Sequence, residues 1–176
     1  SGKTSLLESL LHTTDAITRK GSIKEGNTVG DSSAEARARS MSTEVNVAET
    51  KYLGDHWTFL DCPGSIELSQ EAKAACMGAD IAVVVCEPLP ERALTIAPLL
   101  HFLDEQAIPH MLFINKMDTT QMRVRDVMEA YQAVSARPLV LRQVPIREGE
   151  QVTGYVDLIS ERAYRYQEGQ ASEIIS

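Results

Sequence analysis

The chain has 176 residues, 43% of them hydrophobic and 24% charged, which suits one domain with a sizeable core. Its 25 acids against 17 bases leave a formal net charge of −8, which argues against a protein held on DNA or RNA by its overall charge. Cys62, Cys76 and Cys86 are odd in number and lack CxxC spacing, so they read as free thiols in a reducing compartment, not as a disulfide or zinc framework. The opening residues do not read as a signal peptide and no apolar run reaches membrane-spanning length. The expectation is a cytoplasmic, acidic protein with no membrane partner and no direct DNA binding.

In chain order, Ser1-Gly-Lys-Thr-Ser5 is followed by Leu6, Leu7, Leu10 and Leu11 at helical spacing, which predicts a helix over residues 3–13. From Ile17 to Ser42 this periodicity gives way to Gly21, Gly26, Gly30, Ser32, Ser33 and Ser40, the composition of a long functional loop. Glu44–Leu53 reads as an edge or hairpin strand, and His56–Leu60 as a short strand entering Asp61. After Gly64 a helical stretch carries Leu68, Ala72, Ala75 and Cys76 on one side and ends at Gly78. The apolar runs Ile81–Cys86 and Met111–Ile114 predict strands buried on both faces of a parallel sheet, with a helix over 91–106 between them. A further helix is expected over 121–135. Strand and helix alternate, so the class is α/β with a mostly parallel sheet. Leu139–Ile146 and Gln151–Leu158 are β-like and, with Tyr155, Tyr164 and Tyr166, read as the start of a small β-rich appendage. The expected division is residues 1–138 and residues 139–176, with no internal repeat.

Three strings carry chemistry. Gly2-Lys3-Thr4 opening a helix is the second half of a phosphate loop of the form GxxxxGK[ST]. The N–H groups and dipole of a helix start favour phosphate oxygens, a lysine such as Lys3 reaches the β- and γ-phosphates, and a hydroxyl such as that of Thr4 ligates Mg²⁺. Ser1 and Ser5 flank these residues in the expected nucleotide-binding set. Asp61-Cys-Pro-Gly64 ends a strand, where Asp61 would hold Mg²⁺ through water and the Gly64 amide would meet the γ-phosphate. Asn115-Lys116-Met-Asp118 follows a buried strand. There the Asp118 carboxylate accepts from guanine N1–H and the exocyclic amine, Asn115 bonds the base edge, and the Lys116 stem lies along the ring. Adenine offers no such pair of donors, which disfavours an ATP-using enzyme.

With these strings in order, the chain resembles the G domain of a translational GTPase, of the kind found in bacterial elongation factor G and its elongation-factor-G-like paralogues. Glu25-Gly26, Asp31, Glu35 and Arg39 fall where that family's first switch has similar residues, and 78–85 resembles the strand after its second switch. Gln143-Val-Pro-Ile146 and Gly154-Tyr-Val-Asp-Leu158 resemble its QLPIG…GxxDL segment, which opens an insert subdomain. The resemblance implies a P-loop NTPase fold in three layers, with 1–138 a partial G domain and 139–176 the beginning of the insert. It also implies GTP or GDP and Mg²⁺ as ligands, the ribosome as partner, and GTP hydrolysis coupled to translocation or a related elongation step. It places the first strand and the first half of the phosphate loop upstream of Ser1, and the guanine-contacting SA[KL] loop beyond Ser176. A sheet edge left open by the missing strand invites self-association.

The chain departs from the family at two positions. The first switch ends Arg39-Ser-Met-Ser42 where the family has RGIT, so Ser42 is the expected switch ligand of Mg²⁺. The family's DTPGH is Asp61-Cys-Pro-Gly-Ser65 here. Ser65 therefore stands in the catalytic set, beside Gly64 and Lys3, where the family's histidine places the attacking water. A serine is too short to reach that water and cannot carry charge as imidazole can. His12, His56, His101 and His110 lie elsewhere and read as surface or satisfied core residues. Two functions follow: a ribosome-stimulated GTPase, or a nucleotide-sensing ribosome- or partner-binding module with poor turnover.

Overall fold

A computed structural model describes residues 1–29, 45–62, 64 and 70–175. Ser42 and Ser65 lie outside the described residues, as do Asp31, Glu35 and Arg39. The chain divides into two compact units, residues 1–85 with 103–113 and residues 86–102 with 114–176.

In the first unit, helix α1 (Lys3–Thr13) starts on Gly2, whose φ of 87° lies in the left-handed region that glycine enters without steric cost. Leu6 N–H donates to the Gly2 carbonyl at 3.0 Å and closes the first turn. Strands β1 (Asn46–Tyr52) and β2 (Asp55–Asp61) form an antiparallel hairpin in register from Asn46↔Asp61 to Tyr52↔Asp55, around a two-residue turn at Leu53–Gly54. Leu7 and Leu11 of α1 bury against Ala48 of β1, with Ile17 and Phe59 packed beside them. The hydroxyl of Thr50 on β1 donates to that of Thr14, just past the end of α1, at 2.7 Å. Apolar packing and one polar tie thus fix the hairpin on the helix, and the hairpin's last residue is Asp61.

Helix α2 (Gln70–Met77) stops at Gly78, whose N–H bonds the carbonyls of Ala74 and Ala75. Strand β3 (Ala82–Cys86), helix α3 (Pro90–Glu105) and strand β4 (His110–Ile114) follow, and β3 pairs with β4. Ala82 N–H donates to Pro109 O before the strands, and Asn115 N–H to Cys86 O after them, at 2.9 and 2.8 Å. The two strands therefore run parallel, joined by a helical crossover. Among the described residues they are not covered on both faces as the apolar runs predicted: Val83, Met111 and Phe113 are 46%, 51% and 38% exposed, while Val84 and Cys86 are buried. A continuous apolar run fills both faces of a strand whether or not an element covers each of them, so it cannot report which face is covered.

In the second unit, a 3-10 turn (Met117–Thr119) leads to helix α4 (Val124–Gln132), whose Val127 and Tyr131 are buried. Strands β5 (Gln143–Glu148), β6 (Gln151–Asp157), β7 (Arg162–Arg165) and β8 (Glu173–Ile175) form one antiparallel sheet in chain order. The last two strands were not expected from sequence. A Cβ on Gly154 would stand 2.0 Å from the Tyr164 carbonyl oxygen, so only glycine allows β6 and β7 to approach there. Next to it the Tyr155 and Tyr164 rings stack, centroids 4.9 Å apart.

Candidate functional site

The phosphate end is built where α1 meets the end of β2. The Thr4 hydroxyl donates to the Asp61 carboxylate at 2.8 Å, across 57 residues of sequence. A Cβ on Gly64 would stand 3.4 Å from the Lys3 Nζ, so the ammonium lies beside the Gly64 backbone. Four of the residues singled out from sequence, Lys3, Thr4, Asp61 and Gly64, are therefore together. Burial pushes the Asp61 carboxyl above its ordinary pKa, opposed by the Thr4 hydroxyl and the Lys3 ammonium. Gly2 caps the helix, Ser1 precedes it, and Ser5 is exposed on its first turn.

Hydroxyl and carboxylate oxygens 2.8 Å apart are hard donors that suit Mg²⁺. Among the described residues no group of three or more His, Cys, Asp or Glu side chains could hold a metal. A cation here would take its remaining ligands from phosphate oxygens and water, as Mg²⁺ does when it keeps few protein ligands.

Sequence reasoning missed Glu8. This carboxylate is 1% exposed on α1 and accepts Gly21 N–H on Oε2 at 2.8 Å and Val29 N–H on Oε1 at 2.6 Å. Within the segment it holds, Ser22 N–H donates to Asn27 Oδ1 at 2.7 Å. The start of the Gly/Ser-rich loop is thus bolted to the helix that carries Lys3 and Thr4. A signal was present: an acid among Leu7 and Leu11, on the face that α1 buries, needs a partner to be kept there. The Cys62 thiol, also in this unit, donates to the Leu60 carbonyl at 3.7 Å, and interaction with its sulfur lowers the Cys76 thiol.

At the guanine end, Asn115, Lys116 and Asp118 lie in one turn. Lys116 has φ 59° and ψ 34°, a left-handed conformation uncommon for lysine. Several bonds hold the turn. Asn115 N–H reaches Cys86 O, Thr119 donates its hydroxyl at 2.8 Å and its N–H at 3.1 Å to Lys116 O, and Arg147 donates to Met117 O at 2.8 Å. Lys116 Nζ pairs with the Glu87 carboxylate at 2.5 Å, which holds that carboxyl below its ordinary pKa. The Tyr131 hydroxyl donates to Glu87 O at 2.5 Å. Asp118 is exposed.

A helix start with Lys-Thr against an aspartate at a strand end, and an Asn-Lys-x-Asp turn after a parallel strand, define the G-domain class of P-loop NTPases. Within that class the chain belongs to the elongation factor Tu GTP binding domain family, whose model matches residues 1–169. It is 53% identical, over its full length, to an elongation factor G-like protein of Synechocystis, and covers 26% of that relative. It is 27% identical to elongation factor G 2 of Streptomyces coelicolor over 96% of the chain and 25% of the relative. A mitochondrial ribosome-releasing factor 2 of Danio rerio is 26% identical over 95% of the chain and 22% of its own length. A crystal structure of a Thermus thermophilus protein superposes with a TM-score of 0.89 at 27% identity, over 99% of this chain and 26% of that one. The chain therefore spans about a quarter of these relatives. Among the described residues no helix is long and apolar enough to cross a membrane.

Proposed function

We propose that this chain is the nucleotide-binding part of an elongation-factor-G-like translation factor, cytoplasmic, which binds GTP and GDP with Mg²⁺ and couples GTP hydrolysis to a ribosomal step. The observation that carries the reading is the Thr4–Asp61 hydrogen bond, which brings the GKT and DCPG strings to one point beside the Lys3 ammonium. Lys3 meets the β- and γ-phosphates, with Ser1, Gly2 and Ser5 around them, and Gly64 offers its amide to the γ-phosphate. Thr4, Asp61 and Ser42 are the residues that would hold Mg²⁺, which when bound neutralises charge on the phosphates. Asn115, Lys116 and Asp118 take guanine. Residues 1–138 form this nucleotide-binding part, and 139–176, which contain β5–β8, begin an insert.

Ser65 favours a second reading, in which the protein senses nucleotide on the ribosome and turns it over slowly. The experiment measures GTP binding by the intact protein, then multiple-turnover phosphate release with ribosomes, beside a Ser65→His variant. The expected result is GTP bound in preference to ATP, with the variant releasing phosphate about 100-fold faster or more, the scale of a positioned proton-transfer group. Equal rates overturn the slow-turnover reading, and ATP competing on a par with GTP overturns the guanine assignment.

A further inference from the structure

Glu87 has no place in the three strings, yet its carboxylate takes the lysine of the turn at residues 115–118. It follows β3 directly, and its backbone is held from α4 while its side chain reaches the turn. Its carbonyl is fixed by the hydroxyl of Tyr131, a residue 1% exposed on α4. The carbonyl of the preceding residue, Cys86, accepts the N–H of Asn115. Oε1 of its carboxylate then takes the Lys116 ammonium at 2.5 Å, while Oε2 faces Arg92 Nε at 3.8 Å. The carboxylate is 17% exposed, and the lysine 47%.

The geometry points to Glu87 as a positioning residue for guanine recognition, one that anchors the Lys116 ammonium so that the lysine stem is fixed as an apolar surface for the ring. This rests on the assignment of Asn115–Asp118 to guanine. An unanchored lysine stem samples many rotamers, and ordering it on binding costs affinity; a stem already held by a partly buried, backbone-anchored acid loses less. The left-handed backbone at Lys116 fixes only where the side chain starts, and the ion pair with Glu87 is what holds the end of its four-carbon stem. Arg92 places a second cation 3.8 Å from the same carboxylate.

The test uses the intact protein and a fluorescent GDP, comparing dissociation rates of wild type and Glu87→Gln. Neutral Gln keeps the size and the backbone bond to Tyr131 but not the charge. The expected change is about fivefold faster release, the scale of a partly exposed ion pair. The ratio of the two rates should fall toward one in molar KCl, where the screening length shrinks to about 3 Å. A structural lesion would instead persist at high salt. IDP, which lacks the exocyclic amine but keeps the ring, should show the same ratio as GDP, because the stem contacts the ring and not the amine. Glu87→Asp, one methylene short with its charge kept, should fall between. Equal rates for wild type and Glu87→Gln at low salt, slower release by the variant, or a ratio that ignores salt would overturn the role of Glu87 while leaving guanine binding intact. A wild-type protein that does not bind GDP would overturn the guanine assignment and this inference with it.

Discussion

The end proposed to take phosphate (the phosphate end) and the end proposed to take guanine (the guanine end) are built in different ways. At the first, the decisive contacts join residues far apart in sequence: Thr4 to Asp61, Lys3 to Gly64, Glu8 to Gly21 and Val29. Asp61 and Glu8 are buried. At the second, backbone bonds within residues 116–119 are joined by ties from Cys86 and Arg147 and by an ion pair whose lysine is half exposed, so the difference between the ends lies in burial. A group in the first setting has no water to replace a lost partner, whereas one in the second has. Damage to the phosphate end should therefore be abrupt, and damage to the supports of the guanine end graded.

The strongest way to break this contrast is Lys3→Ala. It removes the ammonium that stands beside Gly64, and charge-assisted bonds to phosphate oxygens go with it. GDP and GTP affinity of the intact protein, read by titration of a fluorescent nucleotide, should fall about 100-fold or more. That is well beyond the few-fold effect expected at Glu87. A loss of less than threefold would show that the phosphate end does not dominate and that the contrast is wrong.

Next in size is Glu8→Ala. The Gly21 and Val29 amides would lose their acceptor in a part-buried place, with a stability loss of roughly 1–3 kcal/mol for the two donors together. Denaturant unfolding measures the loss, and hydrogen exchange at Gly21 and Val29 locates it. Full protection of both amides in the variant would mean that the loop holds itself without the helix.

The same contrast decides how much could be read from sequence. Helix α1, both hairpin strands, β3, α3, β4 and α4 stand within a few residues of where periodicity and apolar runs put them, since those are local signals. The phosphate and guanine strings were legible because their chemistry is written in adjacent residues. Strands β7 and β8 were not, being four and three residues long and carrying Arg162, Arg165 and Glu173 among their apolar positions. Glu8 and Glu87 were missed for a common reason. An acid's partner, 13 to 29 residues away here, is fixed by tertiary structure, and nothing in the local pattern names it.

The smallest effect concerns the Cys62–Cys76 pair, a second long-range contact of the phosphate-end unit and one that can be titrated. Cys62 follows Asp61, and interaction with its sulfur favours the Cys76 thiolate, lowering that thiol to about 7 against the push of burial. The same interaction and burial raise Cys62, whose thiol donates to the Leu60 carbonyl at 3.7 Å. Burial pushes Cys86 up to about 12, so it stays protonated. Only the thiolate is alkylated, so the rate at Cys76 follows its deprotonated fraction. It should be half its plateau near pH 7, drop about tenfold with each further unit below pH 6, and level off above pH 8, where an ordinary thiol near 8.5 is still rising. Peptide mapping after brief iodoacetamide treatment across pH 5.5–9.5 reads this directly, with Cys86 as the unreactive internal reference. A Cys62→Ser variant keeps a hydroxyl donor and should leave the midpoint within about half a unit, whereas Cys62→Ala, with no donor, should move it toward that of an ordinary thiol. If Cys62→Ala leaves the midpoint unchanged, the neighbouring sulfur does not control the Cys76 thiol.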